Sequence, residues 1–213
     1  MSKILEKLEK GRIVPVVALD EACDAVDLCR ALQRGGLAIA EITFRTRAAR
    51  EALKLVAAQF PEFALGAGTV TTLEELEAAH EAGAQFAVSP GFNPSIVQRA
   101  QQLGLPFFPG VMTPTDIESA LALGLQVLKF FPAGAAGGPK MIKAIYAPIQ
   151  HRGVRFIPTG GVNAGNLGEY LGTPGVLAVG GSWIVAKDLL AARNWDEVTR
   201  LTKEAVEVAA QIG

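Results

Sequence analysis

Short apolar runs at 13–19, 39–44, 64–70, 86–90, 107–112, 127–132, 154–159 and 176–180 alternate along the chain with segments of helical periodicity. The intervening segments, such as "EACDAVDLCRALQRGG", "TRAAREALKLVAAQF", "TLEELEAAHEAG" and "PSIVQRAQQLG", are amphipathic, and several close on a glycine placed as a helix C-cap. Strand, helix, strand repeated eight times, with strands that are almost continuously apolar, predicts parallel pairing covered by helices on both faces. The expected fold is therefore α/β: a single (β/α)8 TIM barrel over residues 1–213, preceded by an N-terminal capping helix. At 213 residues the chain sits near the lower end for such a barrel, which leaves little room for a second domain. A doubly wound open sheet is the alternative, but the first run lacks the glycine loop of a dinucleotide-binding unit.

Charge and cysteine usage exclude several classes of function. A formal net charge of −1 and a pI near 6.2 give no basic field for nucleic acid. An anionic substrate would have to be met by local groups. Cys23 and Cys29 lie six apart on a predicted helix, which provides neither a disulfide framework nor a metal knuckle and suits a reducing, cytoplasmic setting. The opening "MSKILEKLEK" lacks the apolar core of a signal peptide, and "VLAVGGSWIVA" is too short and too glycine-rich to span a bilayer. Neither nucleic acid nor a membrane is an expected partner.

Side-chain alternation turns the barrel reading into a rule about which residues face inward. In "IAEITF" plus Arg45, Glu41, Thr43 and Arg45 share one face while Ile42 and Phe44 share the other, and the apolar pair suits the helix layer. The polar set then points into the barrel, where charges are costly unless paired or used. In "VLKFFP" the same rule turns Lys129 inward among phenylalanines, and in "ALGAGTV" it turns Thr69 inward beside slim Gly66 and Gly68. The plain readings are a lysine that snorkels to water at a strand end, or an ion-pair cluster that only plugs the interior. The sharper reading is a lysine whose amine is desolvated, which disfavours the ammonium and makes it a usable nucleophile. Beside a carboxylate, such an amine is equipped for imine chemistry on a carbonyl compound.

The final third adds a candidate anion site. "PTGGVN" follows the seventh run and "VGGSW" the eighth, so Gly160, Gly161, Gly181 and Ser182 fall in the two loops where these barrels frequently bind phosphate. Paired glycines expose backbone N–H groups, and a short helix starting near Ser182 would add its positive end. His80, His151, Lys140 and Lys143 read as solvated positions, and Trp183 and Trp195 as packing residues.

The motifs "EITFRT", "GAGTV", "VSPG", "PGVMTPT", "LKFFPA", "PTGGVN" and "VGGSW", in this order over nearly the whole chain, resemble the bacterial 2-keto-3-deoxy-6-phosphogluconate (KDPG) aldolases, many of which also act on 4-hydroxy-2-oxoglutarate (KHG). The resemblance implies a class I, Schiff-base aldolase (a lyase), usually a homotrimer. It would split a small keto-acid phosphate into pyruvate and glyceraldehyde 3-phosphate in the Entner-Doudoroff route, without metal or cofactor. It implies Lys129 as the imine-forming lysine, Glu41 as the proton-transfer residue, and Arg45 with Thr69 as holders of the pyruvate carboxylate. By the same resemblance Thr159 contacts the aldehyde portion, Pro90 and Phe131 wall the pocket, and Gly160, Gly161, Gly181 and Ser182 cradle the phosphate. Gly134 departs from the family's usual "FFPAE", in a loop that bears on substrate preference. A phosphosugar isomerase or epimerase on the same barrel would share the phosphate loops without needing the lysine. A non-catalytic binder of phosphorylated metabolites would have no chemical use for Glu41, Arg45 and Lys129.

Overall fold

The computed structural model describes residues 3–212. A first helix, α1 (Lys3–Gly11), buries Ile4 and Leu8. It leads into an alternation of β1 (Ile13–Val17), α2 (Asp24–Arg34), β2 (Ile39–Thr43), α3 (Ala49–Gln59), β3 (Ala64–Gly68), α4 (Leu73–Glu81), β4 (Phe86–Val88) and α5 (Pro94–Leu103). Then follow β5 (Phe107–Phe108), β6 (Gly110–Val111), α6 (Pro114–Ala122), β7 (Val127–Phe130), α7 (Gly138–Tyr146), β8 (Arg155–Pro158), α8 (Leu167–Leu171), β9 (Val179–Gly181), α9 (Lys187–Ala191) and α10 (Trp195–Ala210). Among the described residues no helix is long and apolar enough to cross a membrane.

Local chemistry explains the boundaries. Thr72 and Thr113 each accept a bond from the backbone three residues on while Glu75 and Asp116 reach back, so α4 and α6 both start on a capping box. Asn93 caps α5 with Pro94 directly behind it, and Gly104, at φ 66°, ends that helix in the left-handed region. Every residue of β2, β3 and β7 is buried, as parallel strands covered on both faces require. Cys23 lies just before α2 rather than within it, while Cys29 sits in the core, where burial pushes its thiol up to about 12.

The closed eight-stranded barrel is not formed. Nine strands among the described residues make two parallel sheets, one of six strands in the order β5-β4-β3-β2-β1-β9 and one of three in the order β6-β7-β8. The fifth apolar run, expected as one strand over 107–112, divides at Pro109, which has no N–H to continue a ladder. β5 pairs with β4 and β6 with β7, so the chain changes sheets at that proline. On the other side, the stretch through β8 to Thr159 and the stretch from Val176 into β9 are joined only by isolated bridges, Phe156 with Val176 and Thr159 with Gly180. β9 spans three residues, two of them glycine. The α/β alternation holds, but the hydrogen-bonded wall is interrupted at two seams.

Candidate active site

A cavity of about 280 Å³ opens where β1, β2, β3, β7, β8 and β9 end. Lys129, Glu41, Arg45, Thr69, Pro90, Phe131, Thr159, Gly160, Gly161, Gly181 and Ser182 all line it, so the structure gathers every site residue expected from the sequence. Val16 and Val162 complete the wall and were not among them. His80, His151, Lys140 and Lys143 are exposed, and Trp183 and Trp195 pack against the core.

The inner end of the cavity is built on β2, β3 and β7. Lys129 Nζ donates to Glu41 Oε1 at 3.2 Å, with the two side chains only 7% and 4% exposed. The amine also lies 5.7 Å from the centroid of the Phe131 ring. Register explains how Glu41 reaches this position: it pairs with Gly66 on β3, and its carboxylate lies where a Cβ on Gly68 would sit, 2.2 Å from Oε1. Any side chain at residue 68 would displace the carboxylate. Thr69 follows with φ 59°, a conformation unfavourable for a β-branched residue, so its surroundings hold it against local preference at the cavity wall.

This geometry has direct chemical consequences. A buried ammonium and carboxylate in contact satisfy each other, and removing either leaves an uncompensated charge. A 3.2 Å contact also lets a proton pass between them, so the amine can be freed for attack while the carboxyl holds its proton for later return. Arg45, at the outer rim, brings a permanent positive charge to the same cavity. Its Nε donates to Thr43 Oγ1 at 3.1 Å, and Thr43 in turn donates to the Val17 carbonyl at 2.8 Å.

The opposite end is mostly backbone. Gly160 and Gly161 have φ of 93° and 83°, in the region that favours glycine. The Gly134 N–H bonds the Gly160 carbonyl at 2.8 Å and the Asn166 amide bonds the Gly161 carbonyl at 2.9 Å, which fixes the loop's shape. Gly134 thus acts through its backbone, as a donor to the glycine pair. Thr159 Oγ1 lies against Gly180, whose missing Cβ would be 2.2 Å away, and makes only a long 3.4 Å contact to the Ile157 carbonyl. That hydroxyl keeps capacity for a ligand. The helix expected near Ser182 is a single 3-10 turn, Trp183–Val185, so oriented N–H groups rather than a helix dipole would serve an anion there.

The two unexpected wall residues are apolar and look like core in a sequence. Val16 stands beside Glu41 in the sheet register, a pairing that an all-apolar strand does not announce in its sequence. Val162 follows the glycine pair directly; nothing in its residue type distinguishes it.

Comparison with known proteins bears on the whole chain. The family model for KDPG and KHG aldolase matches residues 4–201. The chain belongs to the KDPG and KHG aldolase family. Among curated members of this aldolase family, the 2-dehydro-3-deoxy-phosphogluconate aldolase of Haemophilus influenzae is 47% identical over 206 residues, covering 97% of this chain and 96% of its own. Among solved structures, the KDPG aldolase of Legionella pneumophila, with pyruvate captured at low pH as a covalent carbinolamine, superposes with a TM-score of 0.91 at 38% identity, covering 96% of this chain and 98% of the other. The KDPG aldolase of Zymomonas mobilis, solved with 3-phosphoglycerate, gives a TM-score of 0.86 at 36% identity, covering 96% and 95%.

Proposed function

We propose that the protein is a class I aldolase that cleaves KDPG to pyruvate and glyceraldehyde 3-phosphate through an imine on Lys129, and that it also cleaves KHG. The observation that carries this reading is the buried Lys129 amine in contact with Glu41 inside a cavity whose other end is lined by Gly160, Gly161, Gly181 and Ser182. A family relative that captures pyruvate as a covalent carbinolamine supports the same chemistry.

The residues divide the reaction among them. The Lys129 amine, having passed its proton to Glu41, attacks the C2 ketone, and the resulting carbinolamine takes that proton back from Glu41 at its hydroxyl and loses water, which leaves a protonated imine and an ionised Glu41. Arg45 and Thr69 hold the adjoining carboxylate. Glu41 then accepts the proton of the C4 hydroxyl, directly or through a water, as the C3–C4 bond breaks. The bonding pair flows into the imine to give an enamine, and the aldehyde departs. Protonation of the enamine at C3 and hydrolysis of the imine release pyruvate and regenerate the amine. Thr159 hydrogen-bonds the aldehyde half, Pro90 and Phe131 keep the reacting end apolar, and Gly160, Gly161, Gly181 and Ser182 receive the phosphate. The Zymomonas relative solved with a phosphorylated three-carbon acid supports that last assignment.

The resemblance further supports a single aldolase domain over 1–213 that assembles as a cytoplasmic homotrimer in the Entner-Doudoroff route. Incubation with KDPG, with separate enzymatic assays for pyruvate and glyceraldehyde 3-phosphate, tests the function. Stoichiometric formation of both is the expected result, and turnover without pyruvate would overturn it. Light scattering after gel filtration tests the trimer.

A further inference from the structure

We infer that Thr43 is a positioning residue for substrate recognition, holding Arg45 in the orientation that receives the keto-acid carboxylate. The inference rests on the aldolase reading above and adds to it a residue that does not line the cavity.

Thr43 is fully buried at the end of β2, one alternation step beyond Glu41. A hydroxyl has one hydrogen to donate and two lone pairs to accept with. Here the hydrogen is committed to the Val17 carbonyl of β1 at 2.8 Å, which turns a lone pair toward Arg45 Nε at 3.1 Å. Among the described residues no carboxylate pairs with Arg45, and its side chain stands at an exposed rim. A guanidinium left in that state samples many rotamers, and ordering it on binding opposes affinity. With Nε held from behind, the two terminal nitrogens remain as the planar fork that matches a carboxylate. Thr43 therefore acts on binding, through Arg45, and not on the bond-breaking step. A threonine that only tied β1 to β2 would need no bond to Arg45.

The test is reductive trapping of pyruvate on Lys129 by borohydride, read as half-saturating pyruvate concentration and as plateau rate, for the parent and for Thr43→Val, Thr43→Ser and Arg45→Met, with melting curves to establish that each is folded. Losing one hydrogen bond to a charged group should raise the half-saturating concentration of Thr43→Val about tenfold, with a plateau rate within about threefold of the parent. Thr43→Ser restores the hydroxyl and should recover the parent value. On the Arg45→Met background, Thr43→Val should add less than about twofold, because the group it acts through is gone. Unchanged half-saturation in Thr43→Val, a full additional loss on the Arg45→Met background, or equal damage in Thr43→Ser and Thr43→Val with a lowered plateau would each overturn the inference. Should Thr43→Val not fold, Thr43→Ala carries the same comparison. Absence of trapping in the parent itself would instead remove the imine reading, and this inference with it.

Discussion

The two ends of the cavity are built from different materials. At the reacting end, Lys129 and Glu41 are charged side chains on fully buried strands, each satisfied by the other at 3.2 Å. At the glycine-rich end, proposed to receive the phosphate, Gly160, Gly161, Gly181 and Ser182 offer backbone and one hydroxyl from loops and a short strand, where both carbonyls of the glycine pair are tied down. Chemistry concentrated in two side chains is lost with either of them. Binding spread over several N–H groups survives the loss of any one. The bond-breaking end should therefore be brittle and the anion end tolerant.

Lys129→Met breaks the brittle end outright. With no amine there is no imine, and turnover of both substrates should fall by a factor on the order of 10⁴ or more, as removal of a covalent nucleophile does in other enzymes. Turnover within tenfold of the parent would show that the chemistry lies elsewhere. Glu41→Gln keeps the shape but removes the proton acceptor, so kcat should fall by about 10² to 10⁴ while the melting curve still shows a folded protein. A change of only a few fold would reduce Glu41 to a structural partner of Lys129. Ser182→Ala deletes one bond to an anion, roughly 1.5 to 3 kcal/mol, and should lower kcat/KM for KDPG about tenfold to a hundredfold. Cleavage of KHG, which carries no phosphate, should barely change; equal losses on both substrates would mean that Ser182 supports the reacting end instead.

The smallest effect is expected from the scaffold, which serves as the control. Burial pushes the Asp116 carboxyl up, but bonds from the Thr113 and Met112 backbone N–H groups and from the Thr113 hydroxyl outweigh it, and the group is held below its usual range. A carboxyl depressed in the folded state adds stability above its unfolded pKa of about 3.9, and that stability is lost as pH falls through the folded value. Asp116→Asn should thus lower the melting temperature slightly near neutrality, narrow the gap to the parent on acidification, and leave kcat for KDPG unchanged. A gap that widens toward acid would contradict the cap's role.

Most of the site was legible in the sequence because it is polar where the fold is apolar. Lys129 within "VLKFFP" and Glu41 within "IAEITF" stand out against their neighbours, and alternation along a strand is a local rule that served for both; Thr69 instead reaches the cavity directly after inward-facing Gly68, where its positive φ breaks the alternation. The glycine pairs were legible for a similar reason, since backbone exposure is written in residue type. Strand closure was not. Whether two neighbouring strands exchange enough hydrogen bonds to continue a wall depends on register and approach across the sheet, and Pro109 and the short Val179–Gly181 strand fall just where that matters. Val16 was missed because an apolar wall residue resembles core, and the bond from Arg45 to Thr43 because alternation reports a shared face but not a contact.

The central claim is that the buried amine of Lys129 forms an imine with the keto acid, and it is tested most directly by finding which residue becomes covalently modified. The protein is incubated with pyruvate, reduced with borohydride, digested and mapped by mass spectrometry. The account predicts a single pyruvate-derived adduct on Lys129, dependent on both reagents and absent from Lys129→Met. A stable adduct on another lysine, or none under conditions where KDPG is turned over, would contradict it.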